Sequence, residues 1–243
     1  SGVNGTGALR NTSGTGTFSH LVLSGNATLS GGGFANASRL DLAAYDINPN
    51  QGSTLDGNFT RVFPTIAGNG YELTVKGASQ GGGVVLHQPT FTSALGKVTV
   101  QEGILRLEMD APVNAAGLWG GIGAADITGG IEIAYAGATY TDYTTPASGN
   151  SPNVGARLNL FRNFNVHHSV PITMNGVTAR AGAADLTGGG ANYIDFGTDT
   201  LPNPRTYLDG NITVLGEAAR NIIHIDASAN DNAVVEQGNL TGS

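Results

Sequence analysis

Apolar residues recur at every second position along this chain, in short runs set off by Gly, Asn or Pro. Leu21 and Leu23 flank Val22, Leu73 and Val75 flank Thr74, and Val98 and Val100 flank Thr99. Leu105, Leu107 and Met109 alternate with Arg106, Glu108 and Asp110, which places the charged set on the opposite face. Ile131, Ile133 and Tyr135 point one way with Glu132 and Ala134 outward, and Leu158–Leu160, Val170–Ile172–Met174 and Ile223–Ile225 continue the pattern. A period of two is that of a half-buried strand. Glycine triplets at 31–33, 81–83 and 188–190 separate the runs as turns. The one stretch with any helical character is Arg39 to Tyr45.

Some of these runs repeat. Leu55-Asp56-Gly57-Asn58-Phe59-Thr60 returns as Leu208-Asp209-Gly210-Asn211-Ile212-Thr213. Gly123-Ala124-Ala125-Asp126-Ile127-Thr128-Gly129-Gly130 returns at 182–189 with Leu186 in place of Ile. A Gly-Asn-x-Thr opening occurs at Gly25, Gly210 and Gly238. The copies are unevenly spaced, as in a solenoid whose coils share only inward apolar residues and a permitted turn.

Composition narrows the class. Glycine makes up 38 of 243 residues, against a usual ~7%. Together with abundant Thr and Asn it argues against a helical bundle. With 40% hydrophobic residues the chain has enough apolar surface for a core, which argues against disorder. The net charge of −7, with nine scattered arginines and lysine only at Lys76 and Lys97, excludes a nucleic-acid partner. No apolar run reaches the ~18–20 residues that span a bilayer. Cysteine is absent, so disulfides and thiolate metal sites are excluded.

Residues 72–107 carry a more specific pattern. Leu73-Thr74-Val75-Lys76-Gly77 is followed by Val84-Val85-Leu86, then Phe91-Thr92-Ser93, then Val98-Thr99-Val100-Gln101-Glu102-Gly103-Ile104-Leu105-Arg106-Leu107. This segment resembles the autotransporter-associated β-strand repeat of bacterial secreted and surface proteins. It departs from the family's pattern at Ala78–Gly83, which stands where a Gly-Ala-Gly-Thr-Leu stretch is usual. A polar, proline-bearing insertion at 138–155 fits no coil. The resemblance implies an all-β fold, a right-handed parallel β-helix, in an exported, extracellular or surface protein, and it implies no catalytic residues. At roughly 20–25 residues per coil and about 4.8 Å per coil, such a fold gives about ten coils and a rod near 50 Å.

Candidate chemistry is sparse. Of the five histidines only His167 and His168 are adjacent, and neighbours on a strand face opposite ways, so all five are expected at the surface without a metal. Asp226–Asn230 begins like a calcium loop but has Asp231 where glycine is required, so it is expected as an Asx-stabilised turn. Glycoside hydrolysis needs paired carboxylates, and Asp195 with Asp199, or Asp185 with Asp209, could meet across coils. The motifs of polysaccharide-degrading β-helix enzymes are missing, and scattered solvent-facing aspartates are the expectation. Tyr140 and Tyr143 in the insertion are the candidate glycan contacts.

The two ends read as mid-solenoid turns rather than caps, with Val3, Leu9, Val234 and Leu240 near the exposed edges. The expectation is one β-solenoid segment over 1–243 that continues into further repeats or stacks on identical subunits. The leading function is a non-enzymatic structural fibre, sheath or stalk that needs no cofactor and associates with itself. An adhesin that binds glycans is the alternative, and a polysaccharide-degrading enzyme ranks third.

Overall fold

The computed structural model describes residues 8–12, 14–31, 39–43, 45–47, 60–76, 83–108, 120–134, 155–161, 166–175, 191–196, 206–215, 221–225 and 240–242. Among these the secondary structure is all β, with no helix. In chain order the first strands are β1 (Leu9–Arg10), β2 (Gly16–Phe18), β3 (His20–Val22), β4 (Ala27–Ser30), β5 (Leu40–Leu42), β6 (Tyr45–Ile47) and β7 (Thr60–Val62). They are followed by β8 (Thr65–Ala67), β9 (Leu73–Lys76), β10 (Gly83–His87), β11 (Thr90–Ser93), β12 (Val98–Glu108), β13 (Ile131–Ile133) and β14 (Gly155–Phe161). The last are β15 (Val166–His168), β16 (Ile172–Asn175), β17 (Ala191–Phe196), β18 (Thr206–Leu208), β19 (Ile212–Leu215), β20 (Asn221–Ile225) and β21 (Leu240–Gly242).

The pairing is parallel throughout, with one exception. A first sheet runs β1-β4-β9-β12-β13-β16-β19-β21, in chain order from edge to edge. A second runs β2-β5-β10-β12-β14-β17-β20. Smaller parallel groups follow the same logic: β3-β8-β11, and β15 with β18. β12 belongs to both large sheets, through Val98–Val100 in the first and Gly103–Glu108 in the second. Gly103, at φ 79°, lies in the left-handed region where this strand passes from one sheet to the other. The exception is β6 with β7, an antiparallel pair between β5 and β8.

Parallel register aligns equivalent residues into columns. Leu9, Leu29, Val75, Val100, Ile133, Met174 and Val214 follow one another strand by strand. A second column holds Ala27, Leu73, Val98, Ile131, Ile172, Ile212 and Leu240. On the second sheet Leu40, Val84, Leu105, Leu158 and Ile194 align, as do Leu42, Leu86, Leu107, Leu160 and Phe196. Most of these residues form one continuous buried cluster, each contributing about 1.5–3 kcal/mol relative to exposure. Between the two apolar columns of the first sheet, the outward position reads Thr28, Thr74, Thr99, Glu132, Thr173, Thr213 and Thr241. β-Branched threonines suit an exposed strand face, and each cross-strand pair adds roughly 0.2–1 kcal/mol. The Gly-Asn-x-Thr copies at Gly25, Gly210 and Gly238 lead into β4, β19 and β21, strands of this same sheet, whereas the copy at Gly57 leads into β7 of the antiparallel pair.

Asparagines join successive strands at the corners. Asn11 donates its side-chain amide to the Arg39 carbonyl at 2.8 Å, and Asn26 Oδ1 accepts from the Glu72 N–H at 3.0 Å. Asn69, at φ 52°, donates to the Leu23 carbonyl at 2.9 Å and accepts from the Ser93 hydroxyl at 2.9 Å. These bonds satisfy backbone groups that the turns would leave unpaired.

Several sequence expectations are corrected. Arg39 to Tyr45 contains strand β5, not a helix, because β2 and β10 hold Leu40–Leu42 on either side. Glu108 and Ala134 are buried rather than outward. Two of the six steps along the first column stay within 20–25 residues and the rest are longer: Val100 to Ile133 is 33, Ile133 to Met174 is 41 and Met174 to Val214 is 40. Leu9 to Leu29 is 29 − 9 = 20 residues, Val75 to Val100 is 25, and Leu29 to Val75 is 46. The 46-residue step is long because β6 and β7 are inserted within it.

Backbone closeness between strands gives a direct test. A Cβ placed on Gly31 would lie 2.0 Å from the Gly83 carbonyl oxygen, whereas one on Gly25 would meet nothing within 4 Å. Gly31→Ala is expected to lower unfolding stability by about 1–3 kcal/mol, and Gly25→Ala by much less, measured as urea midpoints.

Candidate functional site

Leu9 heads the apolar column that continues through Leu29, Val75 and Val100, all almost fully buried, yet Leu9 itself is 41% exposed. It is exposed because β1 pairs with β4 on one side only among the described residues. Val22, 70% exposed, lies on β3, the outer strand of the third sheet at the same end. β21 is the opposite outer strand of the first sheet, and it carries Leu240 one register step beyond Ile212. Leu9 and Leu240 therefore occupy the two outermost strands of one sheet. Val3, Val234, Tyr140 and Tyr143 lie outside the described residues, as do Asp185, Asp199, residues 226–230 and all of the 138–155 insertion but Gly155, which opens β14.

The second sheet carries a polar strip that the sequence reading missed. Register aligns Thr17, Asp41, Val85, Arg106, Asn159, Asp195 and His224. His87 and Glu108 are paired two positions further along. Asp41, His87, Glu108 and Asn159 are all buried. Arg39 Nε reaches Asp41 Oδ2 at 2.9 Å, and His87 Nε2 stands 3.7 Å from the same oxygen. Arg106 Nε donates to Asn159 Oδ1 at 2.7 Å, and its guanidinium lies 4.0 Å from Glu108. The strip therefore pairs each buried carboxylate with a cation, as buried charges require. The alternation Leu40-Asp41-Leu42, Leu86-His87 and Leu105-Arg106-Leu107-Glu108 was the available signal. Which strands meet was not readable, because 46 residues separate Asp41 from His87.

A second cluster sits on β15 and β18. His167 and Tyr207 are register neighbours, with ring centroids 4.0 Å apart and planes within 4°. His167 Nδ1 lies 2.8 Å from Asp209 Oδ2. The adjacent His168 faces inward and is buried, where its Nδ1 accepts the Ile122 N–H at 3.2 Å. The expectation that all histidines are superficial thus fails for His87 and His168, while His20 and His167 are exposed. Burial pushes the His168 imidazole down from 6.5 to about 3, against the opposing pull of Asp209. On the first sheet, Glu132 interrupts the threonine column and contacts Lys97, and it accepts from Asn175 at 2.7 Å. Burial alone would raise the Glu132 carboxyl, but the hydrogen bonds from Asn175 and Lys97 and the lysine's charge hold it below 4.5.

Of the carboxylate pairs weighed from sequence, Asp195 is aligned between Asn159 and His224, and Asp209 is engaged with His167. Among the described residues no cluster of three or more His, Cys, Asp or Glu is arranged to hold a metal ion. No family model, curated protein or solved structure matches this chain.

The buried His168 sets a pH dependence. Above about pH 6.5 it is neutral in both folded and unfolded states. As pH falls below 6.5 the unfolded chain takes up the proton first, so stability is lost at about 1.4 kcal/mol per pH unit until about pH 3. His168→Asn, which keeps an acceptor for the Ile122 N–H, is expected to flatten that slope between pH 6 and 4 in urea titrations.

Proposed function

We propose that this chain is a non-enzymatic structural protein, a right-handed parallel β-helix that forms or extends a fibre, sheath or stalk at the surface of a bacterial cell. The chain alternates between the first and second sheets, visiting the third through β3, β8 and β11 in its first half and the β15–β18 pair later, an order that supports a helical winding of the strands. The segment resembling the autotransporter-associated repeat, 72–107, spans β9 to β12 and so contains strands of all three sheets. That resemblance favours an extracellular or surface location.

The observation that carries the reading is the exposed Leu9 at the head of a buried column. A further strand laid on β1 would cover Leu9 as β4 is covered by β9. β21 offers the complementary edge, where a leucine follows Ile212 in the neighbouring column. A second copy docking β21 against β1 would add one more step of about 4.8 Å to the ladder, with Gly242, the register partner of Val214, at the position that faces Leu9. Such contacts are head-to-tail and propagate into a filament. Further repeats in the same polypeptide would meet the same need covalently. Either way the mechanism is mechanical. The eight strands of the first sheet span seven steps, about 34 Å, and the stacked Leu, Val and Ile columns make that length stiff.

No step of this reading uses turnover. Asp41, Glu108, Glu132 and Asp209 are engaged with Arg39, Arg106, Lys97 and His167, and Asp126 accepts the Gly123 N–H.

Sedimentation and negative-stain microscopy test the assembly. The chain is expected to form linear assemblies that lengthen with concentration, and Leu9→Arg, an exposed position, is expected to shift the population to monomer by at least tenfold with the fold intact. A chain that stays monomeric at high concentration, or assembles equally well with Leu9→Arg, would contradict end-to-end stacking.

A further inference from the structure

We propose that the exposed face of His167 is a binding site for one pyranose ring of a neutral glycan. One face of the imidazole is covered by Tyr207, stacked at 4.0 Å. The segment that runs beside β15 on the other side is 120–123. There the Ile122 carbonyl accepts the Ser169 N–H at 3.0 Å, and its N–H donates to His168. This alignment places glycine, not a side chain, beside His167. Gly121 packs its backbone against the His167 carbonyl, and a Cβ on Gly120 would meet nothing within 4 Å. With Tyr207 on one face and Asp209 at Nδ1, the 52% exposure of the side chain falls on its second face and its Nε2 edge.

The groups around this notch favour a sugar over other ring-shaped ligands. A pyranose has an apolar C–H face suited to an aromatic wall and a rim of hydroxyl donors. Asp209, beside His167 with its side chain 44% exposed, is acceptor-only when ionised and asks for donors. Ser169 is exposed two residues along the same strand face and can donate or accept. A phosphate, sulfate or uronate would instead meet Asp209 on a chain of net charge −7. His167 is held for this role, because Tyr207 fixes its plane and the Asp209 bond to Nδ1 fixes its rotation. The inference goes beyond the structural role above and stands whether or not the chain stacks end to end.

Saturation-transfer NMR on the full chain tests it, with methyl β-glucopyranoside and methyl β-galactopyranoside as probes. Transfer to the ring C–H protons of at least one sugar is expected, with affinity in the millimolar range. His167→Ala is expected to abolish it. Gly120→Gln, which fills the open space from an exposed position, is expected to weaken it at least tenfold with an unchanged circular dichroism spectrum. The double variant Tyr140→Ala/Tyr143→Ala is expected to bind as the parent does. No transfer with either sugar, transfer that survives His167→Ala, or stronger transfer to methyl β-glucuronide would each overturn the assignment.

Discussion

The in-register parallel ladder between successive strands is the constraint on which everything else depends. Each strand of the first sheet takes its hydrogen bonds from the strand of the turn before and gives them to the turn after. Strands of only three or four residues suffice at most inner positions of this sheet, because each is held on both sides. Register then decides what side chains meet. A slip of one residue would turn Val75, Val100 and Ile133 out to solvent and bring Thr74, Thr99 and Glu132 inward. The apolar columns and the threonine column are two faces of one alignment.

The ladder also explains the composition. Strands that repeat at close spacing bring corner backbones together, and a Cβ on Gly96 would lie 2.4 Å from the Gly70 carbonyl oxygen. Glycine is needed there for contact rather than for flexibility. Asparagine serves the corners differently, since its side chain reaches the backbone of a neighbouring turn, as Asn11, Asn26 and Asn69 do. The buried charges of the second sheet follow from the same geometry. Polar positions that become covered are matched by their neighbours, as Asp41 is by the Arg39 guanidinium and Arg106 is by Glu108 and Asn159. Their contribution to net stability is small, but the loss of one partner would strand the other.

Much of the strand pattern was legible because period two is local: Leu73-Thr74-Val75 or Ile131-Glu132-Ile133 declares its faces without knowledge of its neighbours. Three of the four Gly-Asn-x-Thr copies enter one sheet, while the one at Gly57 leads into the antiparallel pair. Pairings across long gaps were not legible. Nothing near Asp41 announces His87, and nothing near His167 announces Tyr207 and Asp209, since turns of unequal length set those distances. The slight helical character of Arg39 to Tyr45 gives way to β5, because seven residues of mixed character carry little periodicity and pairing on both sides outweighs local preference. His168 could have been suspected from Val166-His167-His168, where an apolar residue two positions earlier marks the inward face.

Because the chain has no cysteine, spin labels can be placed on engineered cysteines without background, and the threonine column offers equivalent outward sites. With one label at Thr28 and the second at Thr99, Thr173 or Thr213, the aligned register puts two, four or five strand steps between them. The backbone separations expected are about 10, 19 and 24 Å. Pulsed-resonance distances that rise in that order, by roughly one strand spacing per step, are the predicted result. Distances that fail to increase from Thr99 through Thr173 to Thr213 would contradict the parallel ladder and the account built on it.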